Sequence, residues 1–156
     1  MAQDLGLVLL DQTSITVPNV TRSGFEPCDL LDVPNKRFIH VKKSSRRSSI
    51  LSHFFKQGSN SAQQFRKIDA AWSQLESLVR SAGYLAEADQ LNVDPQQIRD
   101  GWTVEYWIAD AQRKTGGFNI PFFSKITLRD EVSALRAMQY DVVLRFIDIP
   151  PDPIAT

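Results

Sequence analysis

The chain has 156 residues, 42% hydrophobic and 23% charged, the proportions of a single globular domain and not of a disordered segment. Its 18 Lys and Arg balance its 18 Asp and Glu, so whole-chain charge nominates no polyanionic partner. One cysteine, Cys28, excludes an intrachain disulfide or a Cys-cluster zinc site, and Cys28 reads as a buried, inert thiol.

No apolar run nears the ~20 residues that span a bilayer. Asp4 interrupts an N-terminus that lacks the basic start of a signal peptide. These features predict a cytoplasmic protein without membrane association.

Leu5 to Val17 reads as a β-hairpin or a strand pair, broken near Asp11 and Gln12 and ended by Pro18-Asn19. Phe25 to Lys43 reads as a β-hairpin turning at Pro34-Asn35. A basic loop follows, and Ser48 or Ser49 is expected to cap a helix from Ile50 to about Lys56. Gly58-Ser59-Asn60 marks a break before a longer helix, Ala62 to Ser81, whose apolar stripe includes Phe65, Ile68, Trp72 and Leu75. Gly83 stops it.

The stretch from Leu85 to Asp100 is ambiguous, with a short helix expected after Asp94-Pro95. Trp102 to Ala109 reads as a strand and Lys114 to Gly117 as a loop. Ser124 or Thr127 opens a helix to about Met138, and Asp141 to Ile149 is a last strand. The chain then reads as one domain, 1–149, with a proline-rich tail, 150–156. Strands and helices in this order predict a mixed α/β (α+β) domain built on a small mixed sheet with flanking helices.

The hairpin carries the chemistry. A turn at Pro34-Asn35 sets Leu31 opposite Phe38 and Asp29 opposite His40. Side chains alternate along a strand, so Asp29, His40 and Lys42 are expected on one face. An acid, an imidazole and an ammonium among Leu30, Leu31, Ile39 and Val41 are costly unless paired, solvated or used. A plain salt bridge between Asp29 and Lys42, contributing only ~0.2–1 kcal/mol, is the simplest alternative.

Asp29 on one strand and His40-Val41-Lys42 on the next resemble the PD-(D/E)XK nuclease superfamily, which includes archaeal Holliday-junction resolvases and Mrr-type restriction endonucleases. There a metal-binding Asp precedes a short turn and an apolar strand ending in acid-x-Lys, often followed by a helix. The resemblance implies a restriction-endonuclease-like core and phosphodiester hydrolysis. It makes Asp29, His40 and Lys42 catalytic, with Mg2+ or Mn2+ held by Asp29, His40 and Glu26.

His40 stands where an acid is usual, although other members carry Gln there. Imidazole favours Mn2+ or another transition ion over Mg2+. Glu26 falls on the opposite face of a regular strand unless Pro27 bulges it inward, and Asp11 is a further donor.

Arg37 to Phe65 and the segment from Ile120 to Val142 resemble a sporadically distributed, uncharacterised bacterial family. The matching motifs are Phe38–Lys43, Ser48–Gly58 and Pro121–Lys125. Its members are usually longer, so the resemblance implies that the chain corresponds to their C-terminal part, as a short homologue or as one piece of a split system. The patchy distribution implies a mobile-element or phage-defence context.

Lys43, Arg46, Arg47, Ser49, His53, Gln57 and Lys125 are then the expected nucleic-acid contacts, to backbone and not to base sequence. Nucleic acid, DNA or RNA, is the expected partner, with a homo-oligomer or an N-terminal partner subunit in addition. A binding module that no longer cuts, or an interaction subunit of a larger assembly, are the competing readings. In the blander view the basic run is a solvated loop, His53 merely covers the sheet and Lys125 is an ordinary helix-start lysine. Trp72, Trp102, Trp107, Phe122 and Phe123 then belong to the core or to an interface.

Overall fold

The computed structural model describes residues 6–109 and 120–148. The expected loop from Lys114 to Gly117 and the tail from Pro150 lie outside the described residues. Strands β1 (Val8–Leu9), β2 (Leu30–Asp32), β3 (Arg37–Lys43), β4 (Thr103–Ala109) and β5 (Asp141–Ile147) form one sheet in sequence order. β1, β2 and β3 pair antiparallel, whereas β3–β4 and β4–β5 pair parallel.

Parallel neighbours need a crossover, and helices supply both. α1 (Ser48–Lys67), α2 (Asp69–Ser81), α3 (Leu85–Leu91) and α4 (Pro95–Ile98) connect β3 to β4, and α5 (Phe122–Ala137) connects β4 to β5. The fold is a mixed α+β domain, as the element order predicts.

The hairpin turns where its sequence dictates. The Asp32 carboxylate accepts the backbone N–H and the side-chain amide of Asn35, and Lys36 takes a left-handed φ of 54°. The register then places Leu31 opposite Phe38, as expected. One face of the sheet forms the core: the Phe38 ring stacks on Trp102 at 4.5 Å and on Phe65 at 4.9 Å. Val104, Tyr106 and Ile108 on β4 are fully buried beside it. Side chains of this size contribute roughly 1.5–3 kcal/mol each on burial.

Four expectations are corrected. The described part of the first expected pair, 6–17, does not fold back on itself: β1 pairs with β2, and Ile15 bridges Phe25. The helix does not break at Gly58 but runs through it to Lys67. Gly58 is there because the Tyr106 ring lies against it, and an added Cβ would stand 2.5 Å from that ring. The break comes at Ile68, an extended residue with φ −121°, and Trp72 Nε1 donates to the Phe65 carbonyl across it.

Neither Ser48 nor Ser49 caps α1; Arg47 is the N-cap, without a side-chain bond. Finally, α5 begins at Phe122, so Phe122 and Phe123 occupy its first turn. Both are 69% exposed and neither joins the core. Ser124 is buried instead, donating to the Ser48 carbonyl and tying α5 to α1.

Candidate functional site

β2 begins only at Leu30, so Asp29 stands just outside the ladder. Its backbone N–H donates to the Ile39 carbonyl at 3.0 Å. Its side-chain Oδ2 accepts the Val41 N–H at 2.6 Å, doing what a main-chain carbonyl does in a regular pair. Asp29 is therefore held by backbone and not by Lys42, which makes no ion pair or hydrogen bond among the described residues. The plain cross-hairpin salt bridge does not form.

Asp29, His40, Val41 and Lys42 form one wall of a cleft of about 560 Å3. α1 supplies the second wall with Phe54, Gln57, Asn60, Ser61 and Gln64, spaced so that they fall on one side of a helix. The third wall comes from the segment ahead of β2, with Asp11, Gly24, Phe25 and Glu26. Ser61 Oγ donates to the Pro27 carbonyl at 2.8 Å and fastens this segment to α1. The irregular backbone before Leu30 brings Glu26 to the cleft; the alternation of a regular strand does not extend to it.

The charges in the cleft do not match one another. Burial raises the Asp29 carboxyl above its ordinary value, the Val41 N–H opposes that shift, and the neighbouring Asp11 and Glu26 carboxylates raise it further; Lys42 counters in part. His40 is 7% exposed, and burial lowers its imidazole to about 4, so it is neutral at pH 7. Its Nε2 has no hydrogen-bond partner among the described residues. Buried polar atoms nearly always have one.

The expected metal ligands Asp29, His40 and Glu26 thus share the cleft. As donor types, carboxylate and imidazole suit a divalent ion. Their spacing does not: among the described residues no three His, Cys, Asp or Glu side chains are placed to hold a metal together.

A model for a family of unknown function, DUF6119, matches residues 1–148. The chain belongs to that family. Neither the curated proteins nor the solved structures contain a match to it. No described helix of this DUF6119 chain is long and apolar enough to cross a membrane.

The remaining expected contacts of the DUF6119 chain scatter. Gln57 lines the cleft; Ser49 and His53 lie exposed on α1 and Lys125 on α5, none of them in the cleft lining. Lys43, Arg46 and Arg47 are exposed just beyond Lys42. Cys28 is buried as expected, and burial pushes its thiol up.

Sequence reasoning missed Phe25, Asn60 and Gln64. The signal for the last two was the run Gln57, Asn60, Ser61, Gln64 at helical spacing, hidden by treating Gly58 to Asn60 as a break.

Proposed function

We propose that this chain is a nucleic-acid-processing domain that hydrolyses phosphodiesters at the Asp29/His40/Lys42 cleft. The observation that carries this reading is the convergence of Asp29, His40 and Lys42 on one cleft, with no ion pair between the acid and the lysine. The order of parts supports it too: an Asp ahead of β2, a tight turn, His-x-Lys late in β3, then a helix. This order resembles the PD-(D/E)XK pattern, with His40 in the acid's position.

Asp29 Oδ2 is fixed by the Val41 N–H, which leaves Oδ1 to accept a proton from a water. A carboxyl raised above its ordinary value is a stronger base for that transfer. The water oxygen attacks phosphorus, its proton goes to Asp29, the P–O ester bond breaks, and solvent protonates the leaving oxygen. Lys42, exposed at the cleft edge, binds the phosphate and offsets its developing charge. Lys43, Arg46 and Arg47 hold the flanking backbone. The reading routes no step through a metal.

Cleavage of plasmid, linear DNA and RNA, assayed separately with Mg2+ and with Mn2+, tests it. Wild type should cut at least one substrate, and Asp29→Ala should lose the activity by about a hundredfold or more. Cleavage unchanged in Asp29→Ala would refute the assignment.

One observation favours a second reading, a domain that binds nucleic acid without cutting it. His40 is buried and neutral, and the acids are not gathered into a metal-binding set. Salt-sensitive binding with no cleavage under either ion would select it.

A further inference from the structure

The cleft is much larger than hydrolysis of one phosphate needs. Its 560 Å3 lies in the range of small-molecule sites, whereas a water occupies ~30 Å3. Its lining also suits something other than phosphate: Asp11, Glu26 and Asp29 oppose the single ammonium of Lys42. Beyond the Lys42 edge an anion meets more repulsion than attraction, so the scissile phosphate stays at that edge.

The α1 wall offers three amides, Gln57, Asn60 and Gln64, none with a side-chain partner among the described residues. An amide both donates and accepts, and a carboxylate only accepts. Half-buried Phe25, set edge-on against Phe65 at 5.6 Å, and buried Phe54 add aromatic surface. The cations stand elsewhere, in the exposed run from Lys42 to Arg47 that leads from the cleft edge into α1.

We infer that the cleft receives an unpaired nucleobase carrying an exocyclic amino group, while the basic run holds the phosphates outside. The chemistry sorts the two halves of a nucleotide. The Asp11 and Glu26 carboxylates accept from an amino group such as cytosine N4 while Asp29 keeps its water, amides pair with mixed donor–acceptor edges, and Phe25 offers a face or edge to the ring. Backbone phosphates stay with Lys42, Lys43, Arg46 and Arg47. Duplex DNA keeps its bases stacked and paired, so a single strand or an extruded nucleotide is the substrate form. This deepens the proposed hydrolytic reading by naming its substrate form, and it rests on that reading for the identity of the polymer.

The test is equilibrium binding, without divalent ions and at one fixed salt concentration, to short single strands of deoxycytidine, of thymidine and of abasic sites. The deoxycytidine strand should bind about tenfold more tightly than the other two. Gln57→Ala combined with Gln64→Ala should erase that preference. Gln63→Ala, on the same helix but outside the cleft, should keep it.

Equal affinity for the three strands, or no binding to any, would overturn the inference. So would a cleft that takes free arginine and no nucleoside. The two proposals fail separately. Base preference without cleavage would leave this inference standing and remove the hydrolytic reading; cleavage without base preference would do the reverse.

Discussion

The hairpin carries two polar clusters on its opposite faces, and they have been treated very differently by the fold. On one face Arg37 donates to the Asp32 carboxylate at 2.6 Å and to Glu105 at 3.1 Å. Trp107 Nε1 donates to Glu105 as well, and Arg145 approaches it at 3.7 Å. Burial raises the Asp32 carboxyl, but hydrogen bonds from Asn35 and Arg37 outweigh it and hold the group below its ordinary value.

On the other face Asp29 is raised, His40 Nε2 is orphaned and Lys42 makes no ion pair or hydrogen bond among the described residues. Five residues apart on one strand and on opposite faces of it, Arg37 is structural and Lys42 is available. Partnership separates them, and residue type does not.

The sharpest way to break the comparison is to give the satisfied face the defect of the other. Arg37→Ala leaves Asp32 and Glu105, 3% and 2% exposed, without their shared cation. Stability should fall by about 3–5 kcal/mol, read as a shift in the denaturant midpoint. A loss under ~1 kcal/mol would mean that the network is no more structural than an exposed ion pair.

A second test uses pH on the unsatisfied face. His40 titrates at about 4 when folded and near 6.5 when unfolded. The unfolded chain therefore takes up the proton first, and stability falls as pH drops from about 6.5 to about 4. The loss attributable to His40 is roughly 3 kcal/mol at its fullest. Asp29, raised above its ordinary value, works against this, because its protonation relieves the folded state as pH falls.

The comparison with His40→Leu isolates the imidazole. The variant should be flatter with pH across this window, and equal slopes in the two proteins would contradict a neutral buried histidine.

Gly58→Ala tests the packing that positions the α1 wall. Its Cβ would meet the Tyr106 ring at 2.5 Å, and Tyr106 is held by its hydroxyl bond to the Phe55 carbonyl. The expected cost is about 1–3 kcal/mol in thermal unfolding. By contrast Phe123→Ser, on an exposed first turn, should change stability by less than ~0.5 kcal/mol.

How much of this was legible in the sequence follows from the range of the interactions. The hairpin register was readable because its turn is local: Asp32, Asn35 and Lys36 settle it within a few residues. The α4 cap was readable for the same reason, Asp94 accepting the Gln96 N–H as its position beside Pro95 suggested. Gly58 misled because its reason lies far off in the chain, in Tyr106. Ile68 misled because its apolar side chain keeps the stripe continuous across a real break.

The site was half legible. Asp29, His40 and Lys42 do share a cleft, and Gln57 joins them. Glu26 and Asp11 enter through an irregular segment whose course no alternation rule describes. Asn60 and Gln64 needed an unbroken α1 to be seen on one side.

The measurement that bears most directly on the account pairs two readouts of Lys42→Ala, nucleic-acid cleavage and melting temperature. An available charge should be dispensable for folding and needed for function. The account predicts that cleavage falls by about a hundredfold or more while the melting temperature stays within a degree or so. Cleavage retained alongside a clear drop in melting temperature would contradict it, and would make Lys42 one more structural charge like Arg37.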